Sequence, residues 1–336
     1  MSSEAITMQE IADKAGVARS TVSKALRNDP TISNKRRAEI QKIAKRLGYH
    51  PHPMVATLMA QLHRVRRLED PQKIAWVDMW PESHSDSRIS SILKPLLQGA
   101  GRRAAELGYE IDVHRPAVEH INLDRLRNIL IARCQWGLII PPVPDSAMNL
   151  ALDLKDLTAV TIGTSLHQPV MHRVSPNHFQ GGEVACRELR GKGFRRIGLI
   201  ISPAHNERVN GKWLGAYLAQ QQDWPQGDRL VPLIVDSSQS SLFFEWWRAE
   251  KPDAILIADQ YVIPWLKAKI GIGWGRPRVA WLVLQAGDKK IWGVDYRATD
   301  LGSAAVDLLV GQIHLNARGA PSVPHTLLID SVWSES

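Results

Sequence analysis

The chain has 336 residues and a mass of 37.6 kDa, room for two or three domains of ordinary size. Its 44% hydrophobic and 23% charged residues exclude a fibrous, collagen-like or mostly disordered chain. The net charge of +8 is unevenly placed: residues 1–67 hold 13 Lys or Arg against 5 Asp or Glu, which accounts for the whole excess and marks a basic head on a neutral body, the electrostatic footprint of nucleic-acid binding.

In that head, Thr7-Met8-Gln9-Glu10 has the form of a capping box and predicts a helix start. Ile11, Ala12 and Ala15 share one face, and Gly16 permits a tight turn. A second helix is expected over about Arg19–Arg27. Val22, Ala25 and Leu26 form its apolar side, and Arg19, Ser20, Ser23, Lys24 and Arg27 line the other. Ser33 is a natural N-cap for a third helix carrying Ile40, Ile43, Ala44 and Leu47, with Gly48 expected to stop it. Two short helices around a Gly turn, closed by a third, make a helix-turn-helix, which sets its second helix in the DNA major groove. A three-helix protein-interaction module shares the core pattern but not the cationic face. Arg19, Ser20 and Lys24 are thereby candidates for base edges: long cationic donors reach guanine, and hydroxyls bond bases or phosphate.

The run from Thr7 to Leu26, followed by Ile32-Ser33 and Leu47-Gly48-Tyr49-His50-Pro51, resembles the head of the LacI/GalR family of bacterial transcriptional regulators. It departs at Ala18, where that family usually has a Ser capping the second helix. The resemblance implies that Thr7, Thr21, Ser23, Ser33 and Tyr49 hold phosphates, with Arg27 on the same DNA-facing side. It also implies a hinge helix in the apolar stretch His50–His63, starting at Pro53, with Leu58 as a minor-groove wedge and His52 near the DNA backbone. His52, Pro53 and Val55 depart from the family's usual hinge. The basic run of Arg64, Arg66 and Arg67 reads equally as a phosphate track or a solvated helix end.

From Lys73 onward short apolar runs alternate with amphipathic helical stretches in the rhythm of parallel α/β sheets. Strands are expected at 74–79, 111–114, 136–140, 160–163, 197–201, 230–235, 254–258 and 279–284. Helices are expected near 91–107, 123–133, 180–192 and 212–222. The resemblance implies a two-lobed, periplasmic-binding-protein-like (type I) effector domain. The expected division is a helix-turn-helix domain at 1–50, hinge helix and linker at 51–70, and an effector-binding and dimerisation domain at 71–336. Lobe 1 takes about 72–163 and 289–318 and lobe 2 about 164–288 and 319–333, with crossings near Gly163, Lys289 and Gly319.

By position, the cleft candidates are Trp80, Lys212 (where sugar-binding members have Arg), and the pair Asp259-Gln260. Leu284-Gln285-Ala286 stands where sugar-binding members carry an Asp pair, which weakens sugar recognition. No nucleophile elbow, phosphate loop or zinc-protease motif occurs, and Ser91-Ile92-Leu93-Lys94 sits in a helical stretch without companion motifs. Cys134 and Cys186 are too far apart in sequence to suggest a disulfide framework or zinc cluster. The expected protein is a non-enzymatic cytoplasmic repressor without cofactor or membrane attachment. It binds a near-palindromic DNA operator as a homodimer and answers to a small-molecule effector, a sugar or related metabolite. The rival is a small-molecule binding protein without DNA function.

Overall fold

The computed structural model describes residues 6–26, 29, 31–47, 49, 71–81, 88–144, 149–270, 278–284 and 291–335. Arg27, the helix stop at Gly48, the hinge stretch with His52 and Leu58, the run Arg64–Arg67 and the crossing at Lys289 lie outside the described residues.

The head consists of α1 (Met8–Ala15), α2 (Arg19–Leu26) and α3 (Asn34–Arg46). The capping box is formed: Glu10 N–H donates to Thr7 Oγ1 at 3.3 Å and Thr7 N–H to Glu10 Oε2 at 2.6 Å. Gly16, at φ +60°, takes the left-handed turn that ends α1. Ile11, Ala12, Val22, Ala25 and Ile40 are fully buried and tie the three helices together. The core is small, and long side chains fasten it. Arg36 donates to Ala15 O at 2.7 Å, Arg37 to Asp29 O at 3.0 Å and Ile32 O at 2.9 Å, and Gln41 to Ala25 O at 3.1 Å. Part of the head's positive charge therefore serves its own fold.

The body contains two sheets. The first orders its strands β2-β1-β3-β4-β5-β11, from β1 (Gln72–Val77), β2 (Tyr109–His114), β3 (Gly137–Ile140), β4 (Thr158–Ile162), β5 (His172–Pro176) and β11 (Thr326–Ile329), all parallel. The second orders them β7-β6-β8-β9-β10-β12, from β6 (Ile197–Ile201), β7 (Leu233–Ile234), β8 (Ala254–Ile257), β9 (Arg278–Trp281), β10 (Trp292–Asp295) and β12 (Val332–Ser334), with only the β10–β12 pair antiparallel. The central strands read as unbroken aliphatic runs because both faces are covered, as in Ile197–Ile201, which is buried throughout. In each sheet the order reverses beside the first strand, between β1 and β3 and between β6 and β8. Such switch points open a crevice at the carboxyl ends of the strands.

Helices α4 (Arg88–Glu106), α5 (Pro116–Glu119), α6 (Leu123–Ala132) and α12 (Ala298–His314) belong to the first lobe. Helices α7 (His178–Gly191), α8 (Pro203–Arg208), α9 (Lys212–Gln221), α10 (Ser240–Glu250) and α11 (Val262–Ile270) belong to the second. α4 and α12 approach at Gly99 and Gly302, where a Cβ would overlap the carbonyls of Thr299 and Leu96.

The chain passes between lobes after Pro176, between Asp295 and Ala298, and between Ile329 and Val332. This corrects the crossings expected at Gly163, Lys289 and Gly319, and with them the lobe limits. Gly163 and Gly319 have positive φ, but both turn within lobe 1: Gly163 N–H donates to Val174 O at 2.7 Å and Gly319 N–H to Leu157 O at 2.9 Å. The expected strand at 230–235 shortens to Leu233–Ile234.

Candidate nucleic-acid interface and interlobe cleft

Burying Val22 and Ala25 against the head core turns the opposite side of α2 outward. Arg19, Ser20 and Lys24 are exposed there, and Thr21 and Ser23 are half-buried. Neither Arg19 nor Lys24 has an ion-pair partner among the described residues. Ala18 leaves α2 without a side-chain cap, but its carbonyl still accepts from Thr21 N at 2.9 Å and Val22 N at 3.2 Å. Thr7 and Ser33 are exposed and stand at the N-termini of α1 and α3. Ser33 Oγ accepts from Arg36 N at 3.4 Å. Helix N-termini direct unpaired amides and positive dipole ends outward, a setting that suits phosphate. Tyr49 packs on the head core, with its N–H donating to Ala44 O at 3.0 Å.

A cavity of about 620 Å³ lies between the lobes. Its wall is built from segments that follow strand ends: Trp80 after β1, Pro142 after β3, Gly163-Thr164-Ser165 after β4, His205 and Arg208 after β6, Val283-Leu284 after β9 and Asp295-Tyr296-Arg297 after β10. This is the position the switch-point rule gives for a ligand. Trp80 lies at the first switch point, where its indole Nε1 donates to Pro142 O at 2.7 Å.

The other three cleft candidates do not form the wall. Asp259 is buried at the second switch point, where its carboxylate accepts from Ser202 N at 2.8 Å, Ser202 Oγ at 3.1 Å and His205 Nδ1 at 2.6 Å. An ionised carboxylate only accepts, so Nδ1 carries the proton and Nε2 is the ring nitrogen left for a ligand. Asp259 thus positions a wall residue instead of lining the cavity itself. Lys212, the first residue of α9, is half-buried behind the wall, and burial together with nearby Arg173 lowers its pKa. Gln260 is exposed outside the cavity.

Most of the wall residues, His205 among them, were absent from the sequence reading. His178, Arg208, Trp213 and Tyr296 converge from three segments. His178 Nδ1 lies 2.9 Å from the Tyr296 hydroxyl, and the two rings meet Trp213. Burial, assisted by Lys212 and Arg208, pushes His178 down to about 3, so it stays neutral. Burial also raises the Tyr296 hydroxyl well above its ordinary value. Arg208 donates to Val143 O at 2.6 Å and Pro144 O at 3.2 Å, while its own carbonyl accepts from Thr164 Oγ1 at 2.6 Å. The available sequence signal was position alone, since each follows a strand end or a crossing.

Residues 7–52 match the family model described as bacterial regulatory proteins, lacI family. The chain is 26% identical over 198 residues to the HTH-type transcriptional regulator MalR of Streptococcus pneumoniae, a stretch covering 58% of this chain and 56% of that relative. Its fold is that of the transcriptional regulator CelR–cellobiose complex, with a TM-score of 0.52 at 20% identity and 98% of each chain covered. It is also that of the Lac repressor dimer bound to operator and the anti-inducer ONPF, with a TM-score of 0.51 at 18% identity and the same coverage. Residues 7–52 thus match a head of the lacI family kind, and the chain as a whole shares the fold of these solved regulators.

Proposed function

We propose that the chain is a sequence-specific transcriptional repressor that binds a near-palindromic operator as a homodimer and is modulated by a small molecule in the interlobe cleft. The observation that carries this reading is the outward face of α2: Arg19 and Lys24 stand exposed, without an ion pair among the described residues, in a head that holds all the chain's excess charge. Arg19, Ser20 and Lys24 read bases. Thr7, Thr21, Ser23, Ser33 and Tyr49 hold phosphates and so set register without carrying sequence information. Arg27, His52 and Leu58, assigned from sequence alone, extend the contact toward the hinge and the minor groove. Trp80 and His205 face the effector, with Asp259 holding His205 in place. The reading agrees with what the names of MalR and the operator-bound Lac repressor say of those proteins. The protein acts on DNA in the cytoplasm, and no helix among the described residues is long and apolar enough to cross a membrane.

Selection from a random duplex pool with the full chain, at two salt concentrations, tests this reading. It requires enrichment of one palindrome, because two identical heads read two half-sites. Salt-sensitive retention without an enriched sequence rules out specific readout. Undiminished ligand binding with no DNA retention at all favours the rival, a small-molecule binding protein.

A further inference from the structure

Resting on the reading of the cleft as an effector site, we propose that Tyr296 is the pivot on which the two lobes bear, and that its hydroxyl, bonded to His178, passes the occupancy of the cleft to the lobe crossings. The first observation is where the ring packs. Tyr296 follows β10 in the second crossing, and its side chain lies against the cores of both lobes: the second-lobe cluster that holds Trp213 and Val294, and the first-lobe cluster that holds Leu96 and Leu301. Among the described residues no other hydrophobic side chain belongs to the packing of both lobes. Because packed cores do not deform continuously, a change in the angle between the lobes displaces this ring or opens its contact with one core.

The second observation is the partner of the hydroxyl. Tyr296 Oη lies 2.9 Å from His178 Nδ1, and the two rings meet edge to face with centroids 5.1 Å apart. His178 is buried and is the first residue of α7, directly after the first crossing. One hydrogen bond thus joins the first crossing to the second. The second crossing is itself braced. Arg297 takes the left-handed conformation at φ +54°, which a non-glycine residue holds only where its surroundings fix it. Its N–H donates to Asp295 Oδ1 at 2.7 Å and its guanidinium pairs with Asp300 at 2.8 Å. A shift of Tyr296 is therefore carried into β10 and α12 instead of being absorbed in a slack loop.

The third observation is a competing partner. Trp213 packs edge-on against His178, with centroids 5.4 Å apart, and its ring lies 6.4 Å from that of Tyr296. Its indole Nε1 is buried and makes no hydrogen bond among the described residues, a state that costs free energy. An arrangement that gives this donor an acceptor, whether the Tyr296 hydroxyl or an atom of the occupant, competes with the one seen here. His178, Trp213 and Tyr296 all line the cavity. An occupant meets the pivot at the wall and shifts the balance between the two arrangements.

Paired spin labels on the exposed Cys134 of the first lobe and on Ala219→Cys, an exposed position of α9 in the second, measure the interlobe distance in the full chain, Cys186 being buried. Tyr296→Phe keeps the ring against both cores and removes only the hydroxyl, so the distance distribution should broaden or shift in a chain that remains folded. Affinity for the duplex selected from the random pool should change with it by about two- to tenfold, the net worth of one hydrogen bond. His178→Phe should act in the same direction. The double variant should go no further than either single one, because all three lack the same bond. A distribution in Tyr296→Phe that superimposes on the parent's overturns the proposal, as do additive effects in the double variant or an unchanged affinity for the duplex. If the parent selects no duplex while the distribution still responds to Tyr296→Phe without additivity, the pivot stands and the repressor reading falls.

Discussion

Replacing Asp259 with Asn tests whether a single buried carboxylate organises the second-lobe wall. The side chain is 7% exposed and accepts three hydrogen bonds, from Ser202 N, Ser202 Oγ and His205 Nδ1. Asparagine keeps the shape but offers one acceptor oxygen and one donor nitrogen. With its oxygen toward His205 and Ser202 Oγ, its NH₂ confronts Ser202 N–H. Flipped, it confronts the other two donors. Either orientation leaves a buried donor without an acceptor, costing about 1–3 kcal/mol, and the loss of charge-assisted bonding brings the total to about 2–4 kcal/mol. Because Ser202 caps α8, the loss should concentrate there and at His205. Hydrogen exchange of the α8 amides resolves this local opening even where the unfolding of a multidomain chain is not two-state. Ser202→Ala, which removes only the hydroxyl, should cost about 1 kcal/mol. Unchanged exchange at α8, together with an unchanged His205 Nδ1–H signal in nitrogen NMR, would refute the assignment of Asp259 as the residue that holds the wall.

Other consequences are equally direct. Lys24→Ala should remove about 1–3 kcal/mol of discrimination between the selected operator and variants altered at one base pair, read by competition binding. Ser33→Ala should weaken all duplexes by a similar factor, and a uniform loss in both variants contradicts the base-reading role of Lys24. Gly302→Ala places a methyl against the Leu96 carbonyl in the α4–α12 contact. It should lower first-lobe stability in denaturant by at least about 1–3 kcal/mol, and an unchanged midpoint contradicts the close approach. His178 has a folded pKa near 3 against an ordinary 6.5, so the unfolded chain takes up a proton that the native one refuses. Stability is full above 6.5 and falls as pH drops toward 3, by about 1.4 kcal/mol per pH unit from this group. His178→Phe should remove that part of the slope, and equal slopes in the two proteins contradict a neutral buried imidazole.

The head was legible because its signals are local. The Thr7–Glu10 box, the Gly16 turn, the Ser33 cap and the buried faces of α1 to α3 each depend on residues a few positions apart. What the charge count did not reveal is that Arg36 and Arg37 spend their donors on backbone carbonyls of their own domain. In the body, the aliphatic runs of β3, β6 and β8 marked themselves, whereas β5 did not, since His172-Arg173-Val174-Ser175-Pro176 holds one aliphatic residue. It becomes a strand because β4 and β11 flank it. Helices α10, α11 and α12 went unassigned, although Leu301, Ala305, Val306 and Leu309 make α12 the inner support of the first sheet. Of the cleft candidates only Trp80 was reached, because it follows an evident strand directly. His178 and Tyr296 meet from positions 118 residues apart, a proximity created by the lobe crossings and not written in any local pattern.

Those crossings also define how the lobes are joined. The first and third are stitched side by side: Asn177 N–H donates to Ile329 O at 2.8 Å, Asn177 Nδ2 to Asp330 Oδ1 at 2.8 Å, and Gln180 exchanges bonds of 3.1 and 2.9 Å with Ser331. These bonds tie the two segments to each other. A separate clasp holds the lobes at the cavity wall, where Arg208 of the second lobe is bonded to Val143, Pro144 and Thr164 of the first. Rotating the lobes about the stitched crossings stretches all three clasp bonds at once. At about 0.5–1.5 kcal/mol net for each, the clasp amounts to roughly 1.5–4.5 kcal/mol, a range that overlaps the 1–3 kcal/mol (roughly) by which an effector site and a distant site are usually coupled. Arg208 lines the cavity as well as closing it, so a ligand that strengthens or displaces its bonds shifts lobe orientation by an amount of that order. The direction depends on which of the two it does.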